Sequence, residues 1–284
     1  MPRFSFDVLE NAGGPLGTET PHLDRWLAGL EERHFADLTF TEVARALRAL
    51  SSTYVERRER LATRSAFDGA GKRAAYALYY SPLHFLTVQH IVAQLDAGQG
   101  LKNLFDLGCG AGAASAAWAT AQSPAPSITG IDVHPWALAE AAQTYRAFGL
   151  DGATRRGNAV DVAIPRSVDG IVAGWFLNEL DDRSRLTVQQ ALLNAPRAGR
   201  RLLIGEPIAT WVAPWWSTWS APFVAAGGRV DEWKIRAELP DLVHRLGRAA
   251  GLRPEALTAR TLYAAPRVPD PSIETTRGPG TRRR

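Results

Sequence analysis

The sequence predicts an α/β fold: a doubly wound, largely parallel sheet behind an N-terminal helical cap. Three observations carry that expectation. From about residue 100, short apolar runs closed by turn residues alternate with helical patterns, the rhythm of strand–helix–strand units. The stretch Val168–Leu177 is apolar on both faces, as a central parallel strand must be. Residues 21–98 show only the helical period.

The elements follow in order. Residues 1–20, rich in Gly, Pro and Thr, read as irregular. Thr39 and Glu42 fit a capping box opening a helix whose apolar stripe is Val43, Leu47, Leu50 and Tyr54. A second helix is expected over about Ala70–Tyr80. Ser81-Pro82 then reads as the start of a third, running through Leu86, Ile91 and Leu95 to near Gly98. Strands are expected at Leu101–Leu107, Ser127–Val133, Val168–Leu177, Arg201–Glu206 and Ala256–Tyr263. Helices are expected at Ala113–Ala121, Pro135–Phe148 and Asp181–Ala195. The domain reading is a helical cap over 1–100, a ligand-binding sheet domain over 101–265 and a basic disordered tail over 266–284.

Composition narrows the chemistry. The 284 residues are 45% hydrophobic and 22% charged, ordinary for a globular protein. No run approaches the roughly 20 apolar residues that span a bilayer, and the start MPRFSFDVLENAGG holds no secretory apolar segment, so no membrane association and a cytoplasmic location are expected. A single cysteine, Cys109, excludes an intrachain disulfide framework, a Cys-ligated zinc site and an iron–sulfur cluster. The six histidines lack paired ligand spacing, so no metal is expected. Net charge is +4, and residues 41–75 and 265–284 hold clusters of Arg that could attract a polyanion or simply coat a solvated face.

Asp106-Leu-Gly108-Cys-Gly110-Ala-Gly112 stands where the first strand would end and a helix begin. Glycines there allow close backbone approach to a ligand, and the helix start adds unpaired N–H donors. Gly108, Gly110 and Ala113 also fit the dinucleotide pattern G-x-G-x-x-G/A. Two acids favour another ligand. Asp106 at the strand end would repel a diphosphate and attract an ammonium. Asp132, twenty residues after Gly112, stands where an acid accepts from ribose hydroxyls. An amine beside a ribose describes S-adenosylmethionine better than NAD.

On these residues the chain resembles the class I S-adenosylmethionine-dependent methyltransferases over roughly residues 100–262. The resemblance implies a Rossmann-like methyltransferase sheet and S-adenosyl-L-methionine as cofactor. It implies that Asp106, Gly108, Gly110 and Gly112 hold the methionine end, Asp132 the ribose and Asn158 the adenine amino group, with Asp161 as a substitute for Asn158. A fainter similarity, to the mitochondrial-type small-ribosomal-subunit methyltransferase-like family, rests on the Arg/Tyr-rich helix before the glycine turn and on Glu206-Pro207. This chain lacks the cysteine cluster that some members carry, so that similarity implies only a lean toward an RNA or ribosomal partner.

Methyl transfer is an in-line displacement that needs alignment, and a base only where the acceptor must lose a proton. Asn178 and Glu179, at the carboxyl end of the fourth strand, are the first catalytic candidates, with Glu206 after the fifth; helix capping or a polar turn would explain the same residues. The absent Asn/Asp-Pro-Pro-Tyr/Phe motif removes the signature of planar-amine methylation, and the one cysteine leaves pyrimidine C5 methylation without a nucleophile. Trp211, Trp215, Trp219 and Phe223 recur every four residues, hence on one helix face, joined by Trp216. They read either as core or as an acceptor wall, with Glu232 and Trp233 extending it. Arg73 and Tyr76 are candidates for cofactor or acceptor contact. Three roles stay open: a methyltransferase moving a methyl group to an O or N atom of a small molecule, an RNA- or ribosome-directed methyltransferase, and a non-catalytic ribosome assembly factor retaining the cofactor fold.

Overall fold

The computed structural model describes residues 21–56, 67–209, 212–252 and 256–266. The irregular start and the basic tail beyond Pro266 lie outside these, as do Trp211, the side chain of Tyr54 and part of the basic 41–75 stretch.

Helix α1 (Pro21–His34) buries Leu23, Trp26 and Leu30 on one face. Helix α2 (Phe40–Glu56) opens on the expected capping box: the Thr39 amide donates to Glu42 Oε2 at 2.8 Å, and the Glu42 amide returns to Thr39 Oγ1 at 3.3 Å. Val43, Leu47 and Leu50 of its stripe are fully buried.

The next two expected helices are one. Helix α3 (Ala70–Ala75) runs through a widened π turn (Tyr76–Tyr80) directly into α4 (Ser81–Gln94). Ser81 is helical, φ −61° and ψ −46°, and its amide donates to the carbonyl of Tyr76, five residues back. Ser81 is therefore not a new helix start. Pro82 cannot donate to the preceding turn and its ring crowds that turn's carbonyl; widening the helix there absorbs the misfit. The consequence is local: Tyr76 and Tyr80 are carried out toward the sheet's carboxyl edge.

The sheet then begins with β1 (Asn103–Leu107), α5 (Ala113–Thr120), β2 (Ser127–Asp132), α6 (Pro135–Ala147), β3 (Gly152–Arg156) and β4 (Gly170–Gly174). It continues with α7 (Asp182–Leu193), β5 (Arg201–Glu206), α8 (Trp216–Ala225), β6 (Arg229–Ile235), α9 (Asp241–Ala250) and β7 (Leu257–Ala264). Strand order is β3-β2-β1-β4-β5-β7-β6, with β1 to β5 parallel and β7 antiparallel to both neighbours. The order reverses between β1 and β4, which opens a crevice at their carboxyl ends.

Two expectations need correction. The fourth strand is five residues long, not ten, because Trp175 takes a left-handed backbone, φ +52°, and breaks it. The strand β6 was not expected; only Val230, Trp233 and Ile235 of it are apolar, too weak a pattern to read as a strand.

One core cluster lies between the N-terminal helices, α5, α6 and α9; the other joins β1, β4 and β5 to α7 and α8. The small side chains Ala113, Ala114, Ser115, Ala116 and Ala117 are all buried, so α5 sits close against the sheet and α4. Helix α1 is tied to α6 by Trp26 Nε1 donating to Thr144 Oγ1 at 3.1 Å and by Arg33 and His34 on Glu140. Tyr145 of α6 fills the space left by glycines: a Cβ at Gly152 would stand 2.3 Å from its ring. Replacing Gly152 by Ala therefore overpacks a ring that is 1% exposed. Urea unfolding should show a loss of about 1–3 kcal/mol. A loss under ~0.5 kcal/mol would mean that the Tyr145 ring has room to shift.

Candidate functional site

Two cavities meet over the crevice. The first, of about 200 Å³, is lined by Gly108, Ile131, Asp132, His134, Asn158, Phe176 and Glu179 among others, from the loops after β1 to β4. The second, of about 350 Å³, is lined by Tyr76, Tyr80, His84, Trp175, Asn178, Glu179 and Ile208 among others, between α3–α4 and the loops after β4 and β5. Glu179 lines both. Among the described residues, neither lining holds a Lys or Arg.

The glycine turn is shaped by its neighbours. Gly108, Gly110 and Gly112 all have positive φ, which Cβ-bearing residues adopt only at a cost. The ring of Phe176 lies against Gly108, the hydroxyl of Tyr76 lies over Gly110, and Gly112 packs on Ala141 and Tyr145. Gly112 thus serves helix packing and does not face the cavity. Asp132 anchors the turn: Oδ2 accepts from the Gly110 amide at 3.0 Å and Oδ1 from the His134 amide at 2.8 Å. Burial raises its carboxyl above the ordinary value, opposed by those amides. Asn158 borders the same cavity, its Oδ1 accepting from the Val160 amide at 3.2 Å. Asp161, the named substitute, is not among the residues lining it.

Asp106 lines neither cavity. It is 1% exposed and accepts from Ser115 Oγ at 2.5 Å, and Ser115 in turn meets the Tyr145 hydroxyl at 3.0 Å. Burial pushes its carboxyl up to about 7. Its visible work is to bind the end of β1 to the first turn of α5, beneath the glycines. Glu206 is likewise interior: fully buried, with Oε1 accepting from the Leu177 amide at 2.9 Å and Oε2 from Asn178 Nδ2 at 2.7 Å. It lines neither cavity and holds the turn that presents Asn178 and Glu179. Burial brings its carboxyl to about 7, against the lowering effect of those bonds.

The other candidates divide. Tyr76 lines the second cavity, while Arg73 donates from Nε to the Phe67 carbonyl at 2.9 Å and lines neither. Trp215 is not at the crevice; it packs against Trp216, Trp219 and the guanidinium of Arg185, and lines neither cavity. Trp216, Trp219 and Phe223 are buried core between α8 and the sheet. Trp233 is also core, donating to Thr261 Oγ1 at 2.8 Å. Trp216, Trp219 and Phe223 are therefore a helix's packing face; periodicity shows that a face is buried, not what buries it.

The residues that sequence reasoning missed are Trp175 and His84. Their rings stack at 4.0 Å and 5°, forming one wall of the second cavity. Burial drives the His84 imidazole down to about 3, so it is neutral. They lie 91 positions apart in the sequence, and no local pattern links them.

With this geometry in hand, the comparisons are informative. Residues 104–198 match a family model described as a methyltransferase domain. Over that segment, which holds the glycine turn, Asp132 and Asn158, the chain is similar to methyltransferase domains. A search of curated proteins finds no match. Among solved structures, a putative O-methyltransferase from Nostoc punctiforme is similar at 16% identity and TM-score 0.50, covering 77% of this chain and 71% of that one. Magnesium protoporphyrin IX methyltransferase from Synechocystis, solved with S-adenosylhomocysteine, is similar at 16% identity and TM-score 0.45, covering 78% of this chain and all of that one. At such identities the likeness is one of fold. Among the described residues, no helix is long and apolar enough to cross a membrane.

The buried acids make a prediction. Burial, with Asp132 and Glu206 nearby, raises the Glu179 carboxyl from 4.5 to about 8. A raised value means that the folded chain holds protons the unfolded chain has released, so this stabilising contribution is full below 4.5 and is lost as pH rises through about 8. For the cofactor-free protein, a Glu179→Gln variant should lose less stability than wild type between about pH 5 and about pH 8 in urea unfolding. Identical slopes for the two proteins would show that Glu179 is not held in this protonated, buried state.

Proposed function

We propose that this protein transfers a methyl group from S-adenosylmethionine in the first cavity to an oxygen or nitrogen of a small acceptor in the second. The observation that carries the reading is the position of Glu179, shared by both cavities. The first cavity suits the cofactor by the chemistry of its lining. It offers the carboxyls of Asp132 and Glu179 and no Lys or Arg among the described residues, which suits a cationic ligand. Ile131, Val133, Ala159 and Phe176 supply apolar walls for a flat base. Asp132 would accept from the ribose hydroxyls and Asn158 from the adenine amino group, with the backbone of Gly108 and Gly110 toward the methionine end. Asp106, Gly112 and Glu206 act through the loops they hold. The cofactor, when bound, supplies an electrophilic methyl group.

The protein's own part is alignment and proton custody. With the cofactor's positive charge beside it favouring the ionised form, Glu179 accepts a hydrogen bond from the acceptor atom and takes its proton where one must leave; Tyr76 closes over the glycine turn from above. A carboxyl held near 8 is a better match to a weakly acidic hydroxyl than an ordinary carboxylate would be. The second cavity is aromatic and lacks basic side chains among its described lining, which supports a small acceptor over RNA, whose phosphates call for Lys and Arg.

Two measurements test this. Calorimetry should give a cofactor dissociation constant at least about tenfold higher for Asp132→Ala than for wild type, since a buried acceptor pair is lost; equal affinity would remove Asp132 from the site. With methyl-tritiated cofactor and fractionated cell extract, label should enter the small-molecule pool and fall by about 10²-fold or more with Glu179→Gln. Label in the RNA pool would favour the ribosomal reading, and tight cofactor binding without transfer to any pool would favour a binding factor.

A further inference from the structure

Asn178 is 6% exposed and lines the second cavity, yet its Oδ1 has no hydrogen-bond partner among the described residues. Leaving a buried amide oxygen unpaired costs about 1–3 kcal/mol. Its orientation is fixed by the other end of the amide: Nδ2 donates to Glu206 Oε2 at 2.7 Å, which leaves Oδ1 as the acceptor. The next residue, Glu179, presents to the same cavity a carboxyl that has no hydrogen-bond partner among the described residues. Both belong to one short turn, Leu177–Glu179, that Glu206 also grips through the Leu177 amide.

Two adjacent acceptors on one rigid turn ask for two adjacent donors on the ligand. The rest of the cavity says what carries them. Its walls are the stacked His84–Trp175 pair, Tyr76, Tyr80, Leu83 and Ile208. Flat aromatic walls bind flat rings. The neutral imidazole of His84, and a described lining without Lys or Arg, offer no positive charge to a carboxylate or phosphate. A volume of about 350 Å³ is room for a ring system of modest size.

We infer that the second cavity is a binding site for an uncharged aromatic ring bearing two hydroxyl groups on neighbouring carbons, one donating to Glu179 and the other to Asn178 Oδ1. This rests on the reading of the second cavity as the acceptor site. Glu179 sits at the border with the first cavity, so the hydroxyl it holds is the one presented for methylation. The hydroxyl on Asn178 sets which of the two is presented. Asn178 is thus a specificity-determining residue, and Glu206 positions it. An aryl amine attacks through its lone pair and sheds its proton only after transfer, so it does not call for a base at the attacking atom, and a ring with a single hydroxyl would leave Asn178 Oδ1 unpaired.

The test is binding to the full-length protein, without turnover. Saturated with S-adenosylhomocysteine, it is titrated in a calorimeter with naphthalene-2,3-diol, 2-naphthol and 3-methoxy-2-naphthol. The diol should bind at least about tenfold more tightly than either single-hydroxyl compound, because a site with a buried polar group discriminates strongly against ligands that leave it unpaired. In Asn178→Ala that preference should fall to about threefold or less, with the affinity for S-adenosylhomocysteine unchanged. Equal binding of the three compounds to wild type would overturn the inference, as would binding of none of them to protein that binds S-adenosylhomocysteine. A full diol preference in Asn178→Ala would do the same. Should Asn178→Ala fail to fold, the wild-type comparison decides alone. Absence of S-adenosylhomocysteine binding to wild type would instead overturn the reading of the first cavity.

Discussion

The arrangement at the crevice depends on a break in β4. A parallel strand continued past Gly174 would bury its side chains in the sheet. Instead Trp175 adopts φ +52°, a conformation that costs a Cβ-bearing residue about 1–2 kcal/mol, while its amide still donates to the Gly205 carbonyl at 2.7 Å. The chain then turns across the sheet's edge, and Glu206, at the end of the neighbouring β5, caps the turn with both carboxylate oxygens. One strained residue and one buried acid thus set where Phe176, Asn178 and Glu179 point. Phe176 falls on Gly108, Trp175 on His84, and the two polar side chains onto the cavities. Strain of this kind persists only where the surroundings over-determine it, and here two strands and a stacked ring do so.

Electrostatics runs in the same direction. Asp106, Asp132, Glu179 and Glu206 are enclosed together at the carboxyl edge, and burial raises all four. They are not equivalent. Asp106 and Glu206 are satisfied by donors of the fold itself: a serine hydroxyl for one, an amide and a side-chain nitrogen for the other. Asp132 is held by backbone amides alone, and the Glu179 carboxyl has no hydrogen-bond partner among the described residues. The gradient from satisfied to unsatisfied runs from the interior to the cavities. Groups left short of partners in a closed fold mark where a ligand completes the network.

How much of this the sequence disclosed depends on whether the relevant signal is local. The glycine turn is local: three glycines at a strand–helix junction announce a positive-φ loop, and the structure has one. The capping box at Thr39 is equally local. Asn178 and Glu179 were legible because the carboxyl end of a central strand is where an open sheet meets its ligand. Asp106 shows the limit. Its place in the motif was right, but whether its carboxyl turns to the cavity or to Ser115 depends on a helix packed nine residues later. The tryptophan run shows another. Spacing every four residues fixes a helix face, but core and pocket wall ask for the same residues. The His84–Trp175 wall was invisible because it needs a left-handed tryptophan and a helix carried across the sheet by a π turn.

That π turn links the cap to the chemistry. Without it, α3 and α4 would be two helices joined at Ser81-Pro82, free to meet at any angle. With it they form one rod, and the residues on the widened turn reach over the sheet's edge. Tyr76 meets Gly110 on one side and Tyr80 on the other, and His84 follows one turn later on the same side. The same tyrosine hydroxyl that lies over the glycine turn therefore also forms part of the acceptor cavity's wall. Burial and Glu179 nearby suppress the ionisation of Tyr76 itself. On the proposed reading, the N-terminal helices do more than cover the sheet. They supply the aromatic half of a chamber whose polar half is the broken end of β4, and neither half encloses an acceptor without the other.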